Sequence, residues 1–211
     1  MGNRRPGRPR AADADQRARL LDAALERYAA EGVRAASGRS IAAAAGVTPA
    51  LVNYYFGSKE QLLEAVVAER LIPIVHGIRS GIEAAGDEPR ELIVAFVRGL
   101  HAAVARHPWL PALWVREILT EGGALRDLLF EHVAPHIAGR LAERFAAAQR
   151  RGDLPASVDP RLLVVSLVGL TLFPLAAASI WRRMFAADDI DADVLAAHTL
   201  ALLEHGFREA A

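Results

Sequence analysis

Thr48, Pro49, Ala50, Leu51, Asn53 and Tyr54 form a run of short polar, small and aromatic side chains, with Arg39 before it and Lys59 after it. The chemistry open to these residues is hydrogen bonding rather than bond making. A hydroxyl, a carboxamide and a phenol on one outward helical face, with no cluster of acids, match the base edges and thymine methyls of a DNA major groove. Arg39 stands beside a helix start capped by Ser37, within reach of a guanine edge or a phosphate. Lys59 opens the following helix, where its ammonium and the first helical N–H groups can grip one phosphate. It is the single lysine beside 24 arginines.

Groups for covalent catalysis are sparse. The chain has no Cys, which excludes a disulfide scaffold, a thiolate metal site and a Cys nucleophile. There is no Gly-x-Ser-x-Gly, no phosphate-cradling Gly loop and no His-Glu-x-x-His. His132 and His136 lie four apart beside Glu131, but Pro135 distorts that turn and no third ligand is identified. No metal and no cofactor is expected, and an enzyme is the weaker class.

The elements that must position the polar run are helices. Apolar residues recur at helical spacing almost throughout, without period-2 alternation or an Asn-Gly or Asp-Gly hairpin turn, so the fold is expected to be all-α with about nine helices. Leu20, Leu21, Ala24, Leu25 and Tyr28 form the stripe of a first helix over 13–31, which Gly32 stops. Residues 38–57 read as two short helices about a turn. Ala42 is small where the backbones approach, and Gly46 supplies positive φ. Ile41, Ala45, Val47, Val52 and Tyr55 then fall on the buried side.

Ser58 and Gln61 make a capping box for a long helix to about residue 84, which Pro73 bends or ends. Further helices are expected over 89–106, 108–122, 124–151, 160–185 and 191–209. The expected organisation is a disordered basic arm over 1–12, a helix-turn-helix domain over 13–60 and a body over 61–211. A buried αα-hairpin with no DNA role would share the Gly turn and the Ala-rich helices.

Charge supports the division. The 211 residues balance 25 Lys+Arg against 25 Asp+Glu, so bulk charge draws the chain to no polyanion. Residues 1–60, however, hold ten Lys+Arg and six Asp+Glu, and the remainder holds fifteen and nineteen. A small basic unit precedes a larger acidic one. No apolar stretch follows the basic start, so no signal peptide is read and a cytoplasmic location is expected.

Ile41-Ala-Ala-Ala-Ala-Gly-Val-Thr48 and Tyr54-Tyr-Phe-Gly-Ser-Lys-Glu-Gln-Leu-Leu63, behind a helix ending in Glu31-Gly32, resemble the DNA-binding domain of the TetR-type transcriptional regulators over about residues 13–67. The resemblance implies a homodimer, usually a repressor, that leaves a palindromic double-stranded operator when a small molecule binds the C-terminal domain. By motif position, Arg39 matches the family's second-helix contact. Thr48 to Leu51 and Asn53 to Tyr55 match its recognition helix, and Lys59 its phosphate-binding lysine. At Asn53 many members have Tyr; Asn offers a bidentate amide to adenine instead. Ala36 stands where Thr is common, which passes the capping role to Ser37. Gly7-Arg8-Pro9 resembles an AT-hook core, although Pro6 precedes it, and would lay Arg8 and Arg10 in a minor groove.

The body is the expected sensor. Phe96, His101, Trp109, Trp114, Arg116, Phe130 and Phe173 are candidate pocket residues, with core packing the plain alternative; Arg116 could hold an anionic ligand. Leu162 to Trp181 carries no charge over twenty residues, enough to span a bilayer. Ser166, Gly169, Thr171, Pro174 and Ser179 within it favour a helix buried between subunits, and the family's last two helices form its dimer interface. No membrane partner is expected. The alternative reading is an all-α small-molecule-binding protein or enzyme that no longer binds DNA.

Overall fold

The computed structural model describes residues 11–206, and among these every regular element is helical. Elements α1 (Ala11–Glu31), α2 (Gly38–Ala44), α3 (Pro49–Phe56) and α4 (Lys59–Val66) lead into a π-wound turn, Val67–Leu71. Then come α5 (Ile72–Ala84), α6 (Pro89–Arg106) and α7 (Leu110–Trp114), the last continuing as a π segment, Val115–Leu119. A short α8 (Arg126–Leu128), a π segment Leu129–Ala138 and α9 (Gly139–Arg151) form one run, followed by α10 (Pro160–Ala176), α11 (Ala178–Phe185) and α12 (Ala192–Gly206). Counting each unbroken run once gives ten helices among the described residues.

The tenth arises where a single helix over 160–185 was expected. Pro174 has no N–H to give the carbonyl of Leu170, which instead faces the Thr199 hydroxyl of α12 at 3.4 Å. At Ala177 the backbone leaves helical geometry and α11 departs at 68° from α10. The Trp181 indole N–H donates to the Pro174 carbonyl across the bend at 2.8 Å. Among the described residues no single helix is long and apolar enough to cross a membrane; α10 and α11 reach that length and composition only as this bent pair.

The chain divides into two compact units, up to Arg70 and from Leu71. In the first, the α1 stripe lies at the centre, and Leu20, Leu21, Leu25 and Tyr28 are fully buried with Ile41, Leu62 and Val66. Two ion pairs fix α1 to the turn after α4. Arg17 donates through both terminal nitrogens to Glu69 at 2.6 Å, and Arg70 Nε donates to Asp22 at 2.6 Å. The bidentate Arg17 pair is the stronger geometry.

In the second unit, α6 and α10 run through the core, which gathers Leu92, Val97, Leu141, Phe145 and Leu167. Helix α5 ends at Ala84, and carbonyls at its end are met by a side chain. Arg144 of α9 donates to the carbonyls of Ile82, Ala85 and Gly86 at 2.7 to 2.8 Å and to Asp87 at 3.0 Å. Gly152, at φ +86, closes α9.

Candidate nucleic-acid interface and body cavity

The turn between α2 and α3 carries the backbone demands the sequence anticipates. Gly46 sits at φ +68, and Ala42 is fully buried where the helices approach. Arg19 of α1 donates to the Ala45 carbonyl at 2.9 Å, which holds the turn against α1. Ser37 is the N-cap of α2. Its hydroxyl accepts from Ser40 N at 3.0 Å, and Ser40 Oγ accepts from Ser37 N at 3.1 Å. The Ser40 hydroxyl also faces Glu31 at 3.0 Å, while Arg27 holds the same carboxylate, so Glu31 stays below the usual carboxylate range.

Helix α3 presents its start and one face to solvent. Thr48, its N-cap, makes no side-chain cap bond, and Pro49 follows without an N–H to satisfy. Thr48, Pro49, Ala50, Asn53 and Tyr54 are exposed, Tyr54 by 79%, while Leu51 is half-buried. Arg39 is exposed on α2. Tyr55 is only half-buried: its hydroxyl pairs with Gln16 of α1 at 3.2 Å and its ring meets Tyr54 edge-on. The fully packed aromatic is Phe56, one residue on, with Arg17 stacked over its ring; Val47 is half-buried as well.

Lys59 opens α4 behind Gly57, at φ +76, and Ser58, whose capping box with Gln61 forms as expected. The ammonium donates to the Arg34 carbonyl at 2.8 Å. A second group occupies the helix start: the Glu60 carboxylate is held below its ordinary range first by its own backbone N–H and then by Ser58. Sequence reading passed over Glu60, although an acid in the first turn is a helix-dipole partner by rule. Arg8 and Arg10 lie outside the described residues.

The second unit holds a cavity of about 270 Å³. Phe96 of α6 and Trp114 of α7 line it, with Leu71, Ile118, Val133 and Val168 among their neighbours. The other expected pocket residues lie elsewhere. His101 is buried on α6 with neither ring nitrogen hydrogen-bonded, and burial pushes its pKa down. Trp109 is half-buried against His107; Arg116 is exposed, as are Phe130 by 59% and Phe173 by 71%. Among the described residues no group of three His, Asp or Glu could hold a metal ion.

Phe173 belongs to a different surface. On α10, Leu162, Val165 and Phe173 are exposed at i, i+3 and i+11, with Gly169 between them; Ile180 and Met184 of α11 and Val194 and Leu202 of α12 are bare as well.

A family model described as "Bacterial regulatory proteins, tetR family" matches residues 20–66, which cover the helix-turn-helix. The HTH-type transcriptional regulator BetI of Rhizobium meliloti (strain 1021) is 38% identical over 100 residues, 47% of this chain and 49% of BetI, so the chain spans about half the length of that relative. TtgW of Pseudomonas putida, an uncharacterized HTH-type transcriptional regulator, is 31% identical over 127 residues, 59% of this chain and 91% of TtgW. Among solved structures, the ketosteroid transcriptional regulator KstR2 of Mycobacterium tuberculosis shares the fold, with a TM-score of 0.71 at 18% identity over 96% of this chain and 98% of that one. With the motif, its geometry and these relatives in agreement, the chain belongs to the TetR family of transcriptional regulators.

Proposed function

We propose that the chain binds a palindromic operator as a homodimer and represses transcription until a small molecule enters the cavity of the second unit. One observation carries the DNA reading: the exposed start of α3, with Thr48, Asn53 and Tyr54 in solvent, is flanked by Arg39 on α2 and Lys59 on α4. In this reading Thr48 to Leu51, Asn53, Tyr54 and Tyr55 serve the recognition helix. Arg39 and Lys59 hold the phosphate backbone or a guanine edge, and Ser37 positions Arg39. Arg8 and Arg10 would add a minor-groove contact.

The bare apolar row on α10, continued on α12, supports pairing of two chains through these helices. A two-fold dimer sets its recognition helices about 34 Å apart, or a multiple of that, so half an operator binds poorly. The segment leading from Lys59 into α5 is the coupling element, and the effector alters its tilt and with it the spacing of the recognition helices. The protein senses rather than turns over its ligand, and works in the cytoplasm.

Selection of genomic fragments on the purified dimer tests this reading. A dyad-symmetric site is expected, with Asn53→Ala changing the preferred base at one position per half-site by about 1 to 3 kcal/mol. A monomer in solution, or retention of no duplex at modest salt, would overturn it.

A further inference from the structure

The cavity has a chemical peculiarity. Its twenty lining residues are all Leu, Ile, Val, Ala, Phe or Trp, and the indole N–H of Trp114 is the only side-chain nitrogen or oxygen among them. Binding pockets ordinarily combine an apolar wall with a few placed polar groups that fix and select the ligand. Here the nearby buried acid is turned elsewhere: Glu117 Oε2 accepts from the Ala124 N–H at 3.0 Å, and Arg116 is exposed. A carboxylate or ammonium entering this space would lose its hydration and gain no counter-charge or hydrogen bond.

All three π-wound segments contribute to the wall: Leu71 from the first, Ile118 from the second, and Leu129, Val133, Ala134, Ile137 and Ala138 from the third. Each extra residue per turn widens the helix locally, and seven of the twenty lining residues lie on such turns.

We infer that the ligand of this cavity is an uncharged hydrocarbon-like molecule. It has about a dozen heavy atoms, scaled from the roughly 150 Å³ apolar cavity that accepts one benzene. The inference rests on the reading of the cavity as the effector site, but names a ligand class which that reading leaves open. Nothing in the wall offers a hydrogen bond to a hydroxyl, an amide or an acid beyond the one indole donor.

Matched probes on the 211-residue chain test it. 2-Ethylnaphthalene is expected to bind and to change Trp114 fluorescence, with the change lost in Trp114→Phe. 2-Naphthylacetate, of similar shape but anionic, should bind at least about 100-fold more weakly. Decanoyl-coenzyme A, an apolar tail whose charged head could stay outside, serves as the third probe and should bind more weakly than the hydrocarbon. Ala138→Phe and, separately, Ala134→Phe fill the space; whichever keeps its helicity and operator affinity should lose the hydrocarbon.

Equal or tighter binding of the naphthylacetate or the acyl thioester, or no binding of the hydrocarbon to wild type, would overturn the inference. Operator release is scored separately by gel shift. Hydrocarbon binding without release upholds the ligand class and removes the effector reading instead.

Discussion

Lys59 Nζ donates to the carbonyl oxygen of Arg34 across 2.8 Å, so the first residue of α4 is tied to the loop that follows α1. An ammonium has three donors, and this contact uses one while fixing the direction of the others. Lys59→Ala is expected to weaken binding to every duplex alike and to lower the slope of log affinity against log salt by about one per protomer. Lys59→Arg should keep the slope. Titrations of specific and random duplexes at several salt concentrations check both, and a loss confined to the operator would contradict the phosphate role.

Glu60 competes for the same helix start. Its carboxylate lies low in pKa because its own N–H and the Ser58 side chain hold the charged form, so it stays ionised at neutral pH. Glu60→Gln removes a negative charge beside the proposed phosphate site and should raise affinity several-fold for specific and random DNA alike, measured by fluorescence anisotropy. Unchanged affinity would place the phosphate away from the α4 terminus.

His101 is expected to make stability fall in mild acid. It is 7% exposed, neither ring nitrogen is hydrogen-bonded, and burial lowers its pKa below the ordinary 6.5 against a smaller opposing pull from Asp193. The unfolded chain then takes up a proton near that value while the folded chain resists. The contribution is complete above the unfolded pKa and is lost as pH drops from there toward the folded pKa. His101→Leu should flatten this fall and add roughly 1 to 3 kcal/mol by removing two unmet polar atoms. Urea melts between pH 5 and 8 measure it, and an unaltered pH slope would refute the assignment.

Gly123 lies against the backbone of Glu117, whose carbonyl a Cβ at 123 would strike. The neighbouring Gly122 holds φ +73, and Glu117 closes the loop through Leu125 N at 3.2 Å. Gly123→Ala should cost about 1 to 3 kcal/mol, because the colliding atom is backbone and cannot swing aside. A melting temperature within a degree of wild type would show that the loop yields instead.

Local chemistry was legible in the sequence. The Ser37 cap, the Ser58–Gln61 box and positive φ at Gly46 follow from a few adjacent residues, and all three form. Ile41, Ala45 and Val52 are buried as the helical period requires. Tyr55 and Val47 are less buried than the period implies, and Phe56 takes the packed place. At Arg116 and Phe130 the pocket was harder to read because a π turn adds a residue to the register. Every face after it is rotated by about 100° from a regular helical projection. Arg116 and Phe130 lie within such segments and point outward, whereas Leu129 and Val133 line the cavity. The bend at Ala177 depends on Pro174, on the Thr199 hydroxyl from α12 and on the Trp181 indole, groups that come together only in three dimensions.

In the proposed dimer, the bare row of Leu162, Val165 and Phe173 would link promoter coverage to protein abundance. Mass action governs any pairing through it, so dilution yields lone chains that meet only half a site. Where pairing is incomplete, coverage of a symmetric site rises with the square of the amount synthesised, and doubling production gives about four times the coverage at low occupancy.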